Sequence, residues 1–166
     1  MGVEDLDFAD IELLAFDIDG TLTDATTWWG GQERGWLQRY SVRDGESLLR
    51  LRAAGVVVVP LSRNKTDAAR QRMKGLKMET RWVGVSDKLA AVDEIAAEYG
   101  IAPQKMCYVG DGAEDGHVFE RVGLGCAVAD AHPDALERAD VVLDAAGGQR
   151  AIEEIELRRA GRWGTR

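Results

Sequence analysis

One stretch narrows the possible folds more than any other: Leu13-Leu14-Ala15-Phe16-Asp17-Ile18-Asp19-Gly20-Thr21-Leu22-Thr23. An apolar run ends abruptly in two carboxylates one residue apart, and a glycine and hydroxyl residues follow. Strand side chains alternate faces, so extended backbone through Ile18 would turn Asp17 and Asp19 toward one site. Gly20 lets the chain bend sharply and approach a ligand. Open α/β sheets place their chemistry at the carboxyl ends of buried strands. An isolated pair of acids more often just ends a strand in water, but the longer pattern D-x-D-G-T-L-T is far more specific.

Downstream, apolar runs alternate with helical patterns. Residues 11–16 form the first expected strand. A Gly-Gly pair between Trp28-Trp29 and Trp36-Leu37-Gln38-Arg39-Tyr40 predicts a β-hairpin over about 27–41. Its aromatic residues serve either packing or function, and a hairpin so placed can cover the site as a flap. Asp44 is expected to cap a helix carrying Leu48, Leu49 and Leu51, ended by Gly55. Residues 56–59 read as a strand covered on both faces, and a helix follows over about 65–74. Residues 81–85 read as a short strand. Ser86 begins a helix in which Leu89, Val92, Ala96 and Tyr99 recur at helical spacing, stopped by Gly100. Further strands are expected at 106–109, around 126–128 and at 141–143. Between and after them come helices through Phe119, from Pro133, and over 152–157. The alternation predicts an α/β fold with a doubly wound, mostly parallel sheet and right-handed crossovers. The length fits one domain over residues 1–166.

In such a sheet the loops after the strands converge on one edge. That edge receives Ser62, Lys88, Asp111 and Asp115 beside Asp17 and Asp19. Each has a plain structural alternative. Ser62 is also an ordinary loop hydroxyl, and Asp111 and Asp115 are favourable acids near a helix start. Lys88 in a first helical turn opposes the helix dipole, which marks it out.

The motif D-x-D-G-T-L-T with Ser62, Lys88 and Gly110-Asp111-x-x-x-Asp115 resembles the haloacid dehalogenase superfamily, most of whose members are phosphatases. The resemblance runs from about Leu13 to Glu154. It implies the Rossmann-like fold of that superfamily and assigns roles. Asp17 would attack phosphorus, form an aspartyl-phosphate and ligate Mg²⁺. Asp19 would protonate the leaving alcohol, then activate water, and its carbonyl would ligate the metal. Ser62 would bind the phosphoryl group and Lys88 would supply charge. Asp111 would complete the metal site, with Asp115 behind it. No interval is long enough for a large cap domain. Tyr40-Ser41-Val42-Arg43-Asp44-Gly45, Ser86-Asp87-Lys88, Tyr108-Val109-Gly110-Asp111, the segment from Ala127 to Pro133, and Ala146-Gly147-Gly148 are similar to a capless branch. That branch includes 3-deoxy-D-manno-octulosonate 8-phosphate phosphatase and acylneuraminate or nonulosonate phosphatases. It implies a homotetramer with hairpins at subunit interfaces. The chain departs from the branch at Ser62-Arg63-Asn64 (usually Thr-Gly-Arg), at Gly112, at Arg150 and at Glu153. Arg43 and Asn64 are candidate substrate-binding residues, though Arg43 serves equally well in a salt bridge within the helix region.

The net charge of −8 argues against nucleic-acid or acidic-membrane partners, while an anionic small-molecule phosphate ester remains compatible with local cations. Cys107 and Cys126 lie in apolar context without C-x-x-C spacing, which fits buried thiols and a reducing compartment. The acidic residues Glu4, Asp5, Asp7 and Asp10 are the opposite of a targeting peptide, and no membrane-length apolar run occurs, so a cytoplasmic protein is expected. No G-x-x-x-x-G-K-[ST] loop is present. His117 and His132 are isolated, with His117 near the site rim. The competing expectations are a phosphatase for another small phosphorylated metabolite, and a non-catalytic tetramerising module of a nucleotide-sugar pathway.

Overall fold

The computed structural model describes residues 7–164, so Glu4 and Asp5 of the acidic start lie outside the described residues. Among the described residues seven strands occur: β1 (Leu13–Phe16), β2 (Trp28–Trp29), β3 (Trp36–Leu37), β4 (Val57–Pro60), β5 (Met106–Gly110), β6 (Leu124–Ala127) and β7 (Val141–Val142). The helices are α1 (Val42–Ala53), α2 (Asp67–Gly75), α3 (Lys88–Tyr99), α4 (Asp115–Phe119), α5 (Pro133–Arg138) and α6 (Ala151–Arg159). Five strands form one sheet in the order β4-β1-β5-β6-β7, every pair parallel. β1 pairs on one side with β4 and on the other with β5, and all four of its residues are buried. That double pairing explains its unbroken apolar sequence. The chain runs outward from β1 in both directions, so the switch point lies between β1 and β5. Crevices at such points are where open α/β sheets bind ligands.

Helix α1 packs on α6, while α3 and α5 each pack on α4, so helices flank the sheet. The core between them is filled by Leu13, Phe16, Ile18, Leu48, Val59, Trp82, Ile95, Tyr108 and Phe119 among others. Cys107 and Cys126 are buried free thiols with their sulfurs 3.8 Å apart.

Several expectations are corrected locally. The cap of α1 is Ser41, whose Oγ accepts from the Asp44 amide. Asp44 caps a different helix: its carboxylate accepts from the amides of Arg150, Ile152 and Glu153 at the start of α6. Residues 81–85 form no strand, only a bridge between Ser62 and Val83, because the segment meets the sheet at a single residue. In α3 the buried face is Lys88, Ala91, Val92 and Ile95, whereas Leu89 and Tyr99 are exposed. The cap there is Asp87, and Gly100 closes the helix in a left-handed conformation, as expected. Among the described residues no helix is long and apolar enough to cross a membrane.

The hairpin forms as expected, with Trp28 opposite Leu37 and Trp29 opposite Trp36. Trp28, Trp29 and Trp36 are 48%, 51% and 56% exposed, so about half of each indole stays uncovered within the chain.

Candidate active site

Asp17 follows β1 and Asp111 follows β5, so the pairing of those strands sets the two acids side by side at the switch point. Extended backbone does not persist through Ile18. The amides of Thr21, Leu22 and Thr23 all bond the Ile18 carbonyl, so a tight turn begins there. Asp17 and Asp19 still line one cavity, brought together by that turn instead of by strand alternation. Gly20 sits at φ +78°, and a Cβ there would lie 2.0 Å from Asp111 Oδ2. Any side chain at this position would displace the acid from β5.

Lys88 enters from the first turn of α3, where its ammonium is buried despite the unfavourable dipole. The Nζ lies 3.1 Å from Asp17 Oδ2 and 2.7 Å from Asp115 Oδ1, and it donates to the Tyr108 hydroxyl at 2.9 Å. Burial works against the charge, but Asp17 and Asp115 outweigh it and hold the Lys88 pKa above its ordinary value. Asp115 is fully engaged. Its Oδ1 also accepts from the Tyr108 hydroxyl at 2.7 Å, and its Oδ2 accepts from the Asp111 and Gly112 amides. Asp115 therefore fixes Lys88 on one side and the loop carrying Asp111 on the other.

Carboxylate oxygens of Asp17, Asp111 and Asp115 lie within 4.8 Å of one another. Burial, partly offset by Lys88, pushes the Asp17 pKa up to about 6, with Asp115 adding to the rise. Burial, with Asp17 and Asp115 as like-charged neighbours, pushes Asp111 up to about 7. One lysine does not balance three carboxylates. Asp115 already has four donors, while no side chain or amide among the described residues donates to the Asp111 carboxylate. An all-oxygen donor set with excess negative charge fits a hard divalent cation. Asp17 and Asp111 have the oxygens to hold it.

Ser62 is buried at the end of β4, and its Oγ accepts from the Asn64 amide at 3.1 Å. Ser62, Arg63, Asn64, Gly112, Ala113 and Glu114 complete the cavity with Asp17, Asp19, Lys88 and Asp115. The Asn64 side-chain amide donates to Asp19 Oδ1 at 3.1 Å. Arg43 stands apart: it points at Glu153, 3.7 Å away on α6, and its side chain is largely exposed. His117 lines the neighbouring hollow with Arg63, Ser86, Lys88 and Glu114, at the rim as expected. His132 caps α5 through Nδ1.

Three polar residues escaped the sequence reading. Tyr108 anchors Lys88 and Asp115 from inside β5, where its hydroxyl had no periodic signal. Glu114 pairs with Arg63 across the cavity mouth. Gln38, at the end of the hairpin, donates its amide to Asp19.

Comparison with known proteins places this arrangement in a family. A haloacid dehalogenase-like hydrolase model matches residues 82–148. The 3-deoxy-D-manno-octulosonate 8-phosphate phosphatase KdsC of Escherichia coli K12 is 37% identical over 147 residues, covering 87% of this chain and 77% of the relative. The chain belongs to the KdsC family of haloacid dehalogenase-like hydrolases. The KdsC-family structure from Yersinia pestis superposes with a TM-score of 0.86 at 32% identity, covering 95% of this chain and 86% of that one. The cobalt-bound deoxy-D-mannose-octulosonate 8-phosphate phosphatase of Haemophilus influenzae has the same TM-score at 27% identity, covering 95% and 91%. The fold expectation of a capless, doubly wound sheet is thus borne out.

Proposed function

We propose that this chain is a Mg²⁺-dependent phosphomonoesterase acting on a sugar-acid phosphate such as 3-deoxy-D-manno-octulosonate 8-phosphate or a related nonulosonate phosphate. The observation that carries the reading is the buried meeting of Asp17, Asp111, Asp115 and Lys88 at the switch point, with Asp19 alongside. The KdsC relatives act on that octulosonate phosphate, and the Haemophilus protein is cobalt-bound. Asp17, Asp111 and the Asp19 carbonyl would hold Mg²⁺, which would supply positive charge that lessens the repulsion between nucleophile and phosphate.

The protein's own groups do the rest. Ile18 donates its amide to Asp17 Oδ1 at 2.7 Å and orients the carboxylate. Asp17 attacks phosphorus, and its new bond to phosphorus forms as the ester P–O bond breaks. Asp19 gives its proton to the departing alcohol. It then takes a proton from the water that cleaves the aspartyl-phosphate, which returns Asp17 as a carboxylate. Lys88 and the Ser62 hydroxyl meet the negative charge on the transferring group. Asp115 and Tyr108 keep Lys88 aimed at Asp17.

The chain is read as one domain, as a cytoplasmic protein and as a homotetramer whose hairpins meet neighbouring subunits. Exposure of Trp28, Trp29 and Trp36 supports the last point. Arg43 is already paired with Glu153, and Ser62-Arg63-Asn64 departs from the branch pattern. Those two features favour, as a second reading, a phosphatase for another small phosphorylated metabolite.

The test is phosphate release from octulosonate and nonulosonate phosphates, hexose phosphates and nucleotides, with Mg²⁺ and with chelator. Metal-dependent preference for the keto acids is expected. Broad metal-dependent activity would select the second reading. Inactivity on every ester would leave the tetramerising module as the better account.

A further inference from the structure

We infer that Gln38 is a positioning residue for Asp19, tying the hairpin to the group that moves the proton in the proposed reaction. This rests on the phosphatase reading above. The Gln38 side-chain amide donates to Asp19 Oδ1. Asn64 donates to the same oxygen at 3.1 Å and, through the same Nδ2, to Gln38 Oε1 at 3.3 Å. The Tyr40 hydroxyl donates to Gln38 Oε1 at 3.2 Å. Burial, with Asp19 nearby, pushes the Tyr40 pKa up to about 12, which keeps that hydroxyl protonated as a donor. The Gln38 carbonyl is thus held by two donors, so its amide hydrogens face Asp19.

Two amides converge on Oδ1, and Oδ2 has no donor among the described residues. Oδ2 is therefore the oxygen that carries the transferable proton. In the first step its O–H bond breaks as the proton passes to the ester oxygen and the P–O bond opens. In the second it accepts the proton of the attacking water. A neutral amide suits this cycle, because it orients the carboxyl group through hydrogen bonding alone. The partners come from three places: Asp19 follows β1, Asn64 follows β4, and Gln38 lies just beyond β3. The hairpin thereby reaches the chemistry through one side chain.

The experiment compares Gln38→Ala, Gln38→Asn and wild type on two esters with Mg²⁺: 3-deoxy-D-manno-octulosonate 8-phosphate, whose alcohol needs protonation, and p-nitrophenyl phosphate, whose phenolate leaves unaided. A positioning role predicts that Gln38→Ala lowers kcat/KM, which reports the steps up to formation of the aspartyl-phosphate, by about 10–100-fold on the sugar ester. The loss of kcat/KM on the aryl ester stays within about 3-fold, since general acid help matters less in that first step. Gln38→Asn recovers part of the sugar-ester rate, and Asn64→Ala repeats the leaving-group pattern. Equal losses of kcat/KM on both esters, or none on either, in a wild-type-active background would overturn the role of Gln38 alone. A wild-type chain inactive on both would overturn the phosphatase reading and this role with it. Circular dichroism of each variant separates a misfolded hairpin from a mispositioned acid, and Asn64→Ala tests the same oxygen from outside the hairpin.

Discussion

Asp17 is held as an anion where an anion is disfavoured. Burial and Asp115 raise its pKa to about 6 even with Lys88 at 3.1 Å. The sign follows directly: an acid whose folded pKa exceeds its unfolded value is less stable ionised in the fold than in the unfolded chain, so at neutral pH it costs stability. A shift from 3.8 to about 6 corresponds to about 3 kcal/mol at most. Asp17→Asn removes that charge and keeps the shape. It should therefore stabilise the metal-free protein by about 1–3 kcal/mol in urea unfolding with chelator, while turnover falls by about 10⁴-fold or more. Retained turnover would sink the aspartyl-phosphate mechanism. Asp17, Asp19, Ser62 and Asp111 were legible in the sequence because they follow strands, and strand ends are readable; Lys88 stood out instead as a cation in a first helical turn. Tyr108, Glu114 and Gln38 were not legible, because their roles depend on which strand pairs with which and on where a hairpin folds back. Arg150 was legible only as an oddity. It occupies φ +79° where glycine is conformationally favoured, and its guanidinium pairs with Glu153 and lies over Trp163.

At the scale of elements, periodicity located every strand of the main sheet to within two residues, because β1, β4 and β5 are apolar on both faces. It misplaced the inner face of α3, since Leu89 and Tyr99 share the helical spacing of core residues yet face outward. The larger surprise is Asp44. Local rules assign it to the helix that contains it, but the carboxylate serves three amides of α6, more than a hundred positions away in sequence. No local pattern encodes that contact. It joins two helices that also meet through Glu156, which accepts from Ser47 and Arg50. Burial raises the Asp44 pKa, opposed by the three amides that stabilise its charge. Asp44→Ala leaves those buried amides without an acceptor and should cost about 2–4 kcal/mol in urea unfolding. Asp44→Asn retains one acceptor oxygen and should cost less. An unchanged midpoint for Asp44→Ala would remove Asp44 from the account of how α1 and α6 are held together.

Across the whole molecule, an unpartnered apolar surface sits beside an acidic body. Trp29 and Trp36 pack edge to face with centroids 5.5 Å apart, yet both stay about half exposed, as does Trp28. None of the three belongs to the buried core. Their packing therefore contributes little within one chain, and burying them against another copy removes a large apolar patch from water. Light scattering should give about four times the chain mass of 18.2 kDa, and the triple substitution Trp28→Ser, Trp29→Ser, Trp36→Ser should lower it toward one chain. The core and its far-ultraviolet signal should survive, because the sheet, α1 and α6 do not rest on these indoles. Activity should not survive equally well. Gln38 lies one residue beyond β3, so a hairpin freed from its neighbour holds Asp19 less firmly. The monomeric variant should show the same leaving-group pattern as Gln38→Ala, with alkyl esters losing more rate than aryl esters. A wild-type mass near a single chain would overturn the assembly. A monomer losing rate equally on both esters would show that the hairpin acts through assembly without acting through Asp19.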